Sequence, residues 1–313
     1  MSAIAVPTAK DDRLTLIAVS ALACILQDIL HEGLGHAVTA WLSGARTITI
    51  STVAMQSDIS TRWISANGTL VNLIFGAFLW VILLKPQRYS PALRYFLVLA
   101  LAGNLFTGTG YFMFSGIANF GDWAAVISGL QPYWMWRVGL VVLGAISYFA
   151  SMLIVRAQLL AFRELEPASR RIRALCWIPY FTDGVLAGVS GLLNPMGLFY
   201  VIASALPSTL GANAGLLSLP SMMRIRGAGT REQNQVTQAG STSEVSRGKE
   251  AAAHEPLSKT EPFAGVAPVA EVAAAAGVAP VAPISRSIAW IAVGGIASLL
   301  FIFVLGRGLT WTR

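Results

Sequence analysis

The chain is dominated by apolar runs long enough to cross a lipid bilayer, and this restricts its fold more than any other feature. A spanning helix needs about 20 predominantly apolar residues. Residues 14–30, 68–84, 93–117, 135–155 and 288–305 each approach or exceed that length, and 178–219 forms a longer apolar tract broken by Asp183, Asn194-Pro195, Pro207 and Gly211. In hydrocarbon the backbone must satisfy its own hydrogen bonds, so such runs are helices rather than open strands. Charged residues make up only 12% of the 313 residues. A soluble domain carries about 25%, so an ordinary soluble enzyme is excluded. The expected fold is an all-α, polytopic integral membrane bundle of about five to seven transmembrane helices. Its partner is the bilayer itself.

The net charge of +7 does not require nucleic acid, because the basic residues cluster between the apolar runs. The segments 85–94 and 156–173, the latter with Arg156, Arg163, Arg170, Arg171 and Arg173, read as cytoplasmic loops by the positive-inside rule. They put the N-terminus in the cytoplasm, as for a multi-pass protein of a bacterial-type inner membrane. A cleavable signal peptide fits poorly, since Asp28, His31 and Glu32 crowd the one cleavage-like position near Ala40.

Three regions follow. Residues 1–221 form a membrane core, 222–285 a long disordered loop, and 286–313 a C-terminal transmembrane helix. The middle region is rich in Ala, Gly, Ser and Pro, and its Ala264–Ala270 block recurs as Ala276–Ala282. Such a tract cannot bury enough apolar surface to offset its chain entropy. His254 lies within it and reads as solvated. The polar stretch from Arg46 to Arg62, with Thr47–Val53 at its start, predicts a short β-hairpin on the membrane surface or dipping towards the site. Cys24 and Cys176, distant and in apolar surroundings, read as packed thiols.

One constellation carries chemistry. The first span contains His31-Glu32-Gly33-Leu34-Gly35-His36. Ionisable groups inside a span are costly, and they mark function by default. Two imidazoles are good zinc ligands, and a neighbouring non-ligating Glu can act as general base. Histidines at i and i+5 lie about 140° apart on a regular α-helix, too far for one ion. A one-residue π-bulge would restore their alignment, and Gly33 and Gly35 permit it. The alternatives are that Glu32 and His36 share a face without His31, or that the cluster is polar glue between helices. Asp28, three residues before His31, could orient that imidazole.

The string Ile29–Ala37 resembles the first motif of the site-2 protease family of intramembrane zinc metallopeptidases, expanded by one residue. The same expansion occurs in the dipeptidyl-peptidase III family. Ala66-Asn67-Gly68-Thr69-Leu70-Val71-Asn72 is similar to the family's second motif, with Thr69 in place of proline. Asn104-Leu105 followed by Gly121-Asp122 echoes its third, with Gly-Asp for Asp-Gly and a longer gap. The likeness covers roughly residues 20–125. It implies Zn2+ held by His31, His36 and a carboxylate, Asp122 first and Asp183 second. Glu32 is then the catalytic base, and a transmembrane peptide the substrate. For Asp122 the competing reading is a helix N-cap. Asn72 and Asn104 would contact substrate or pair across helices. The Arg46–Arg62 segment could hold an extended substrate by strand addition.

Other chemistries fail by counting. The chain has three histidines, whereas desaturase histidine boxes need about eight, by comparison with that class. No free intramembrane His is left to pair with a Ser in a rhomboid-like dyad, and two histidines five apart cannot sandwich a haem. The alternative from another class is a non-catalytic transporter or assembly factor. The broken tract around Asp183 is the kind of element from which transporters build sites.

Overall fold

The computed structural model describes residues 10–85, 89–163, 168–223 and 281–313. These form a bundle of helices. In chain order they are α1 (Arg13–Leu42), α2 (Arg62–Leu84), α3 (Pro91–Ala118), the short α4 (Asp122–Ile127), α5 (Tyr133–Phe162), α6 (Ala168–Leu192), α7 (Val201–Met222) and α8 (Ile288–Leu305). All but α4 and α6 are long and apolar enough to cross a membrane, six among the described residues. The chain is therefore an all-α, multi-pass membrane protein. Side chains such as Ile74, Phe78, Val142, Phe149, Val293 and Ile296 stand exposed along α2, α5 and α8, as they should where the surrounding medium is lipid.

Sequence punctuation explains the boundaries. Asp12 caps α1 by accepting from the Thr15 amide at 2.9 Å, and Thr61 and Ser90 do the same for α2 and α3. Helix α3 ends at Asn119, whose φ of 54° closes the helix in the left-handed region. Gly121, at φ 82°, then turns the chain into α4. Central α3 is buried along most of its length, with Ala100, Gly103 and Gly108 letting its neighbours approach closely.

The expected hairpin is present as β1 (Thr47–Ile50) and β2 (Gln56–Ser57), antiparallel through Ile48↔Ser57 and Thr49↔Gln56. A third strand, β3 (Leu309–Thr312), pairs antiparallel with the other edge of β1, giving the order β2-β1-β3. The last apolar run is therefore followed by a strand that returns to the hairpin.

Three boundaries differ from expectation. The motif at residues 66–72 lies inside α2 rather than at its start, because Thr61 caps the helix a turn and a half earlier. Much of the basic stretch 156–173 is helical, divided between the end of α5 and the start of α6. The tract 178–219 is two elements: α6 runs to Leu192, and α7 is assembled from π, 3-10 and α turns around Pro207 and Gly211.

The expected loop over 222–285 falls mainly on residues 224–280, which lie outside the described residues. Its final residues belong to the core instead. Ile284 is 1% exposed, and its amide donates to Asp11 at 2.7 Å. Arg171 pairs with Asp11 through Nε at 2.8 Å and Nη2 at 3.1 Å. It also donates to the carbonyls of Phe162, Val281 and Ala282. This bidentate pair, each side chain 8% exposed, ties the N-terminal cap, α6 and the approach to α8 together. Arg171→Met leaves the buried Asp11 carboxylate without its counter-ion, and is expected to cost about 3–5 kcal/mol. Thermal unfolding in detergent checks this: an unchanged midpoint would mean the pair holds nothing.

Candidate metal centre

The six residues from His31 to His36 lie inside a π-helical stretch of α1, Ile29–Ala37. Its i→i+5 hydrogen bonding brings residues five apart onto one face. The consequence is measurable: the Nε2 atoms of His31 and His36 are 3.2 Å apart, with the rings edge to face at 4.7 Å between centroids. Gly35 allows this stretch to sit directly on α2. A Cβ there would lie 2.5 Å from the Cα of Gly68.

Asp122 completes the group. The left-handed Asn119 and Gly121 reverse the chain after α3 and place Asp122 in the first turn of α4. Its Oδ2 is 3.1 Å from His31 Nε2 and 3.3 Å from His36 Nε2. The helix N-cap is Gly121, so Asp122 is not spent in capping.

The outward nitrogens fix what faces the centre. His31 Nδ1 lies 2.6 Å from Asn72 Oδ1. The Asn72 amide group donates to Asn104 Oδ1 at 2.7 Å and to the Gln27 carbonyl at 3.2 Å, so its oxygen is the atom left for His31. His36 Nδ1 donates to the Ile64 carbonyl at 2.6 Å. Both Nδ1 atoms therefore carry a proton, so in its neutral form each ring turns an Nε2 lone pair inward. In that form two lone pairs and a carboxylate oxygen meet 3.1–3.3 Å apart, three acceptors that need a shared proton or a cation among them. His31, His36 and Asp122 could hold a metal ion, their ligand atoms all lying within 4.8 Å of one another.

Glu32 stands apart from these three. One of its oxygens accepts from the Met55 amide at 2.5 Å. The residue lines a cavity of about 340 Å3 together with His36, Asp122, Gln56, Ser57 and Tyr111. The cavity thus joins His36, Asp122, the Glu32 carboxylate and the β2 strand.

Two expected placements fail. Asp183, the second candidate ligand, is buried elsewhere. It accepts from Cys24 Sγ and from Asn213 Nδ2, both at 2.5 Å, linking α1, α6 and the irregular α7. Asp28 does not orient His31, because Asn72 from α2 already holds that nitrogen. Asn72 and Asn104 pair across helices, as one of their two readings had it. No signal in the residue pattern points to Tyr111, whose ring stacks on His31 at 4.9 Å, or to the Ile64 carbonyl.

No family model matches the chain, and searches of the curated proteins and of the solved structures return no similar protein.

Proposed function

We propose that the protein is an intramembrane zinc peptidase of the site-2 protease type, acting on peptide bonds of membrane-embedded segments. The observation that carries this reading is the triangle of acceptors. Its edges of 3.1, 3.2 and 3.3 Å match the roughly 3.3 Å between ligands of a tetrahedral zinc site with bonds near 2.0–2.1 Å. Three protein ligands with the next position facing a cavity is the arrangement of a catalytic rather than a structural zinc. The residues present therefore fit the ion.

Zinc held there supplies Lewis acidity, polarising a carbonyl and making water a better nucleophile. Glu32, in the same cavity and outside the triad, takes the proton of the attacking water and returns it to the leaving amine. Asn72 and the Ile64 carbonyl keep both imidazoles in the tautomer that presents Nε2. A substrate must be unwound to bring its carbonyl to these groups. With β1 paired on both edges, the outer edges of β2 and β3 remain for strand pairing among the described residues, and it is the β2 residues Gln56 and Ser57 that line the cavity. The basic segments 85–94 and 156–173 and the N-terminus would face the cytoplasm.

Elemental mass spectrometry of the detergent-purified protein tests the reading. About one zinc per chain is expected, falling to near zero in His36→Ala. A second reading, a transporter or assembly factor, draws on Asp183 joined to Asn213 in the broken α7. It predicts little or no zinc in either protein.

A further inference from the structure

A second, smaller void lies beside the histidine pair. It measures about 20 Å3, and its lining includes Asp28, Glu32, Thr52, Thr107, Ser208 and Thr209. That is room for a single water-sized particle. Two buried side chains reach it without a partner: the hydroxyls of Thr52 and Thr107, 5% and 2% exposed, make no hydrogen bond among the described residues. Native interiors rarely leave such groups unsatisfied.

Charge adds a second requirement. Asp28 and Glu32 are four residues apart on α1, and both line the void. The ion pairs among the described residues are His31–Asp122, His36–Asp122 and Arg171–Asp11, none involving Asp28 or Glu32. Glu32 has the Met55 amide as a hydrogen-bond partner. Among the described residues Asp28 has neither an ion pair nor a hydrogen bond. One carboxylate with no compensating group, beside another, is expensive inside a bilayer. A lone water would satisfy the hydroxyls but leave Asp28 to be neutralised by a proton. A small cation would satisfy both.

We propose that this void is a sodium-ion site, with Asp28, Thr52 and Thr107 as ligands and Glu32 adding negative charge. The donors are hard oxygens, which suit alkali or alkaline-earth ions rather than zinc. One uncompensated carboxylate calls for one positive charge. Magnesium normally retains several waters, for which the void has no space. Ser208 and Thr209 donate their protons to the Ala205 carbonyl at 3.0 and 2.7 Å, so their oxygens keep lone pairs for the ion. His31 and Glu32 line this void as well as the centre described above, but none of the three candidate zinc ligands is a proposed sodium ligand, and the irregular α7 contributes to the wall.

Equilibrium binding of radioactive sodium to the detergent-purified full chain tests the proposal. Saturable binding of about one Na+ per chain is expected, displaced by unlabelled Na+ but not by choline. It should vanish in Asp28→Asn and weaken roughly tenfold or more in Thr107→Val. His36→Ala keeps all four residues, so sodium bound by that protein separates this site from the histidine centre whatever the zinc content. No saturable sodium in the wild type, displacement by calcium at equal concentration, or equal binding in Asp28→Asn would each overturn it.

Discussion

Glu32→Gln is expected to lower peptide hydrolysis by about 10²–10⁴-fold while leaving the zinc content unchanged. The separation of the two readouts follows from the geometry. Glu32 lies outside the triangle of His31, His36 and Asp122, so replacing it removes no candidate ligand. Its one described bond is accepted from the Met55 amide, and a glutamine oxygen accepts that bond equally well. What glutamine cannot do is take a proton at neutral pH. The loss should therefore appear in kcat, with KM for a membrane-segment peptide little altered. A panel of fluorogenic single-span peptides in proteoliposomes, assayed beside zinc content, reads both quantities. Wild-type rates in the variant would remove the general-base role, and loss of zinc with activity would show that Glu32 is a ligand.

Much of this architecture is legible in the sequence because lipid imposes a simple rule. Apolar runs of sufficient length become helices, and the run from Leu93 to Ile117 is α3 to within two residues at either end. The histidine spacing is equally informative: five residues between ligands on one helix require the extra residue per turn that Ile29–Ala37 contains. Legibility ends where a residue's partner comes from a distant helix. Nothing near Asp28 or His31 in sequence says that Asn72, 41 residues on, takes the imidazole nitrogen and leaves the nearer carboxylate facing a different void. Asp183 was plausible as a ligand for want of any contrary signal. Its contacts with Cys24 and Asn213 are set by how α6 packs, which composition does not reveal. The β3 strand is a different kind of omission. Leu309-Thr310-Trp311-Thr312 has the β-branched and aromatic alternation of a strand, but its four residues follow a span and pair with a hairpin some 260 positions earlier.

The second large effect concerns a residue with no side chain. At Gly68 the backbone of α2 presses against the face of the histidine pair. A Cβ there would overlap Nε2 and Cε1 of His36 and come within 2.9 Å of His31 Cε1. Those atoms are not the free end of a flexible chain. His36 is pinned at Nδ1 by the Ile64 carbonyl and His31 by Asn72, so neither ring can yield without breaking the bond that sets its tautomer. Helix α2 cannot retreat instead without opening its contact with Gly35. Gly68→Ala is therefore expected to weaken zinc binding by about 10–100-fold or more, with an overpacking cost of roughly 1–3 kcal/mol. Gly33 provides the contrast within the same motif. A Cβ there meets only the Ile29 side chain at 3.8 Å, an ordinary contact. Gly33→Ala should keep its zinc and gain slightly in stability, since alanine favours a helix over glycine by about 0.5–1 kcal/mol. Zinc content and thermal unfolding of the two variants in detergent decide between the roles. If Gly68→Ala retains zinc and its midpoint, the close packing of α2 on the imidazoles is not what fixes the centre. If Gly33→Ala loses zinc as readily as Gly68→Ala, the π-helical stretch depends on backbone freedom at Gly33 rather than on the space that Gly68 leaves for the rings.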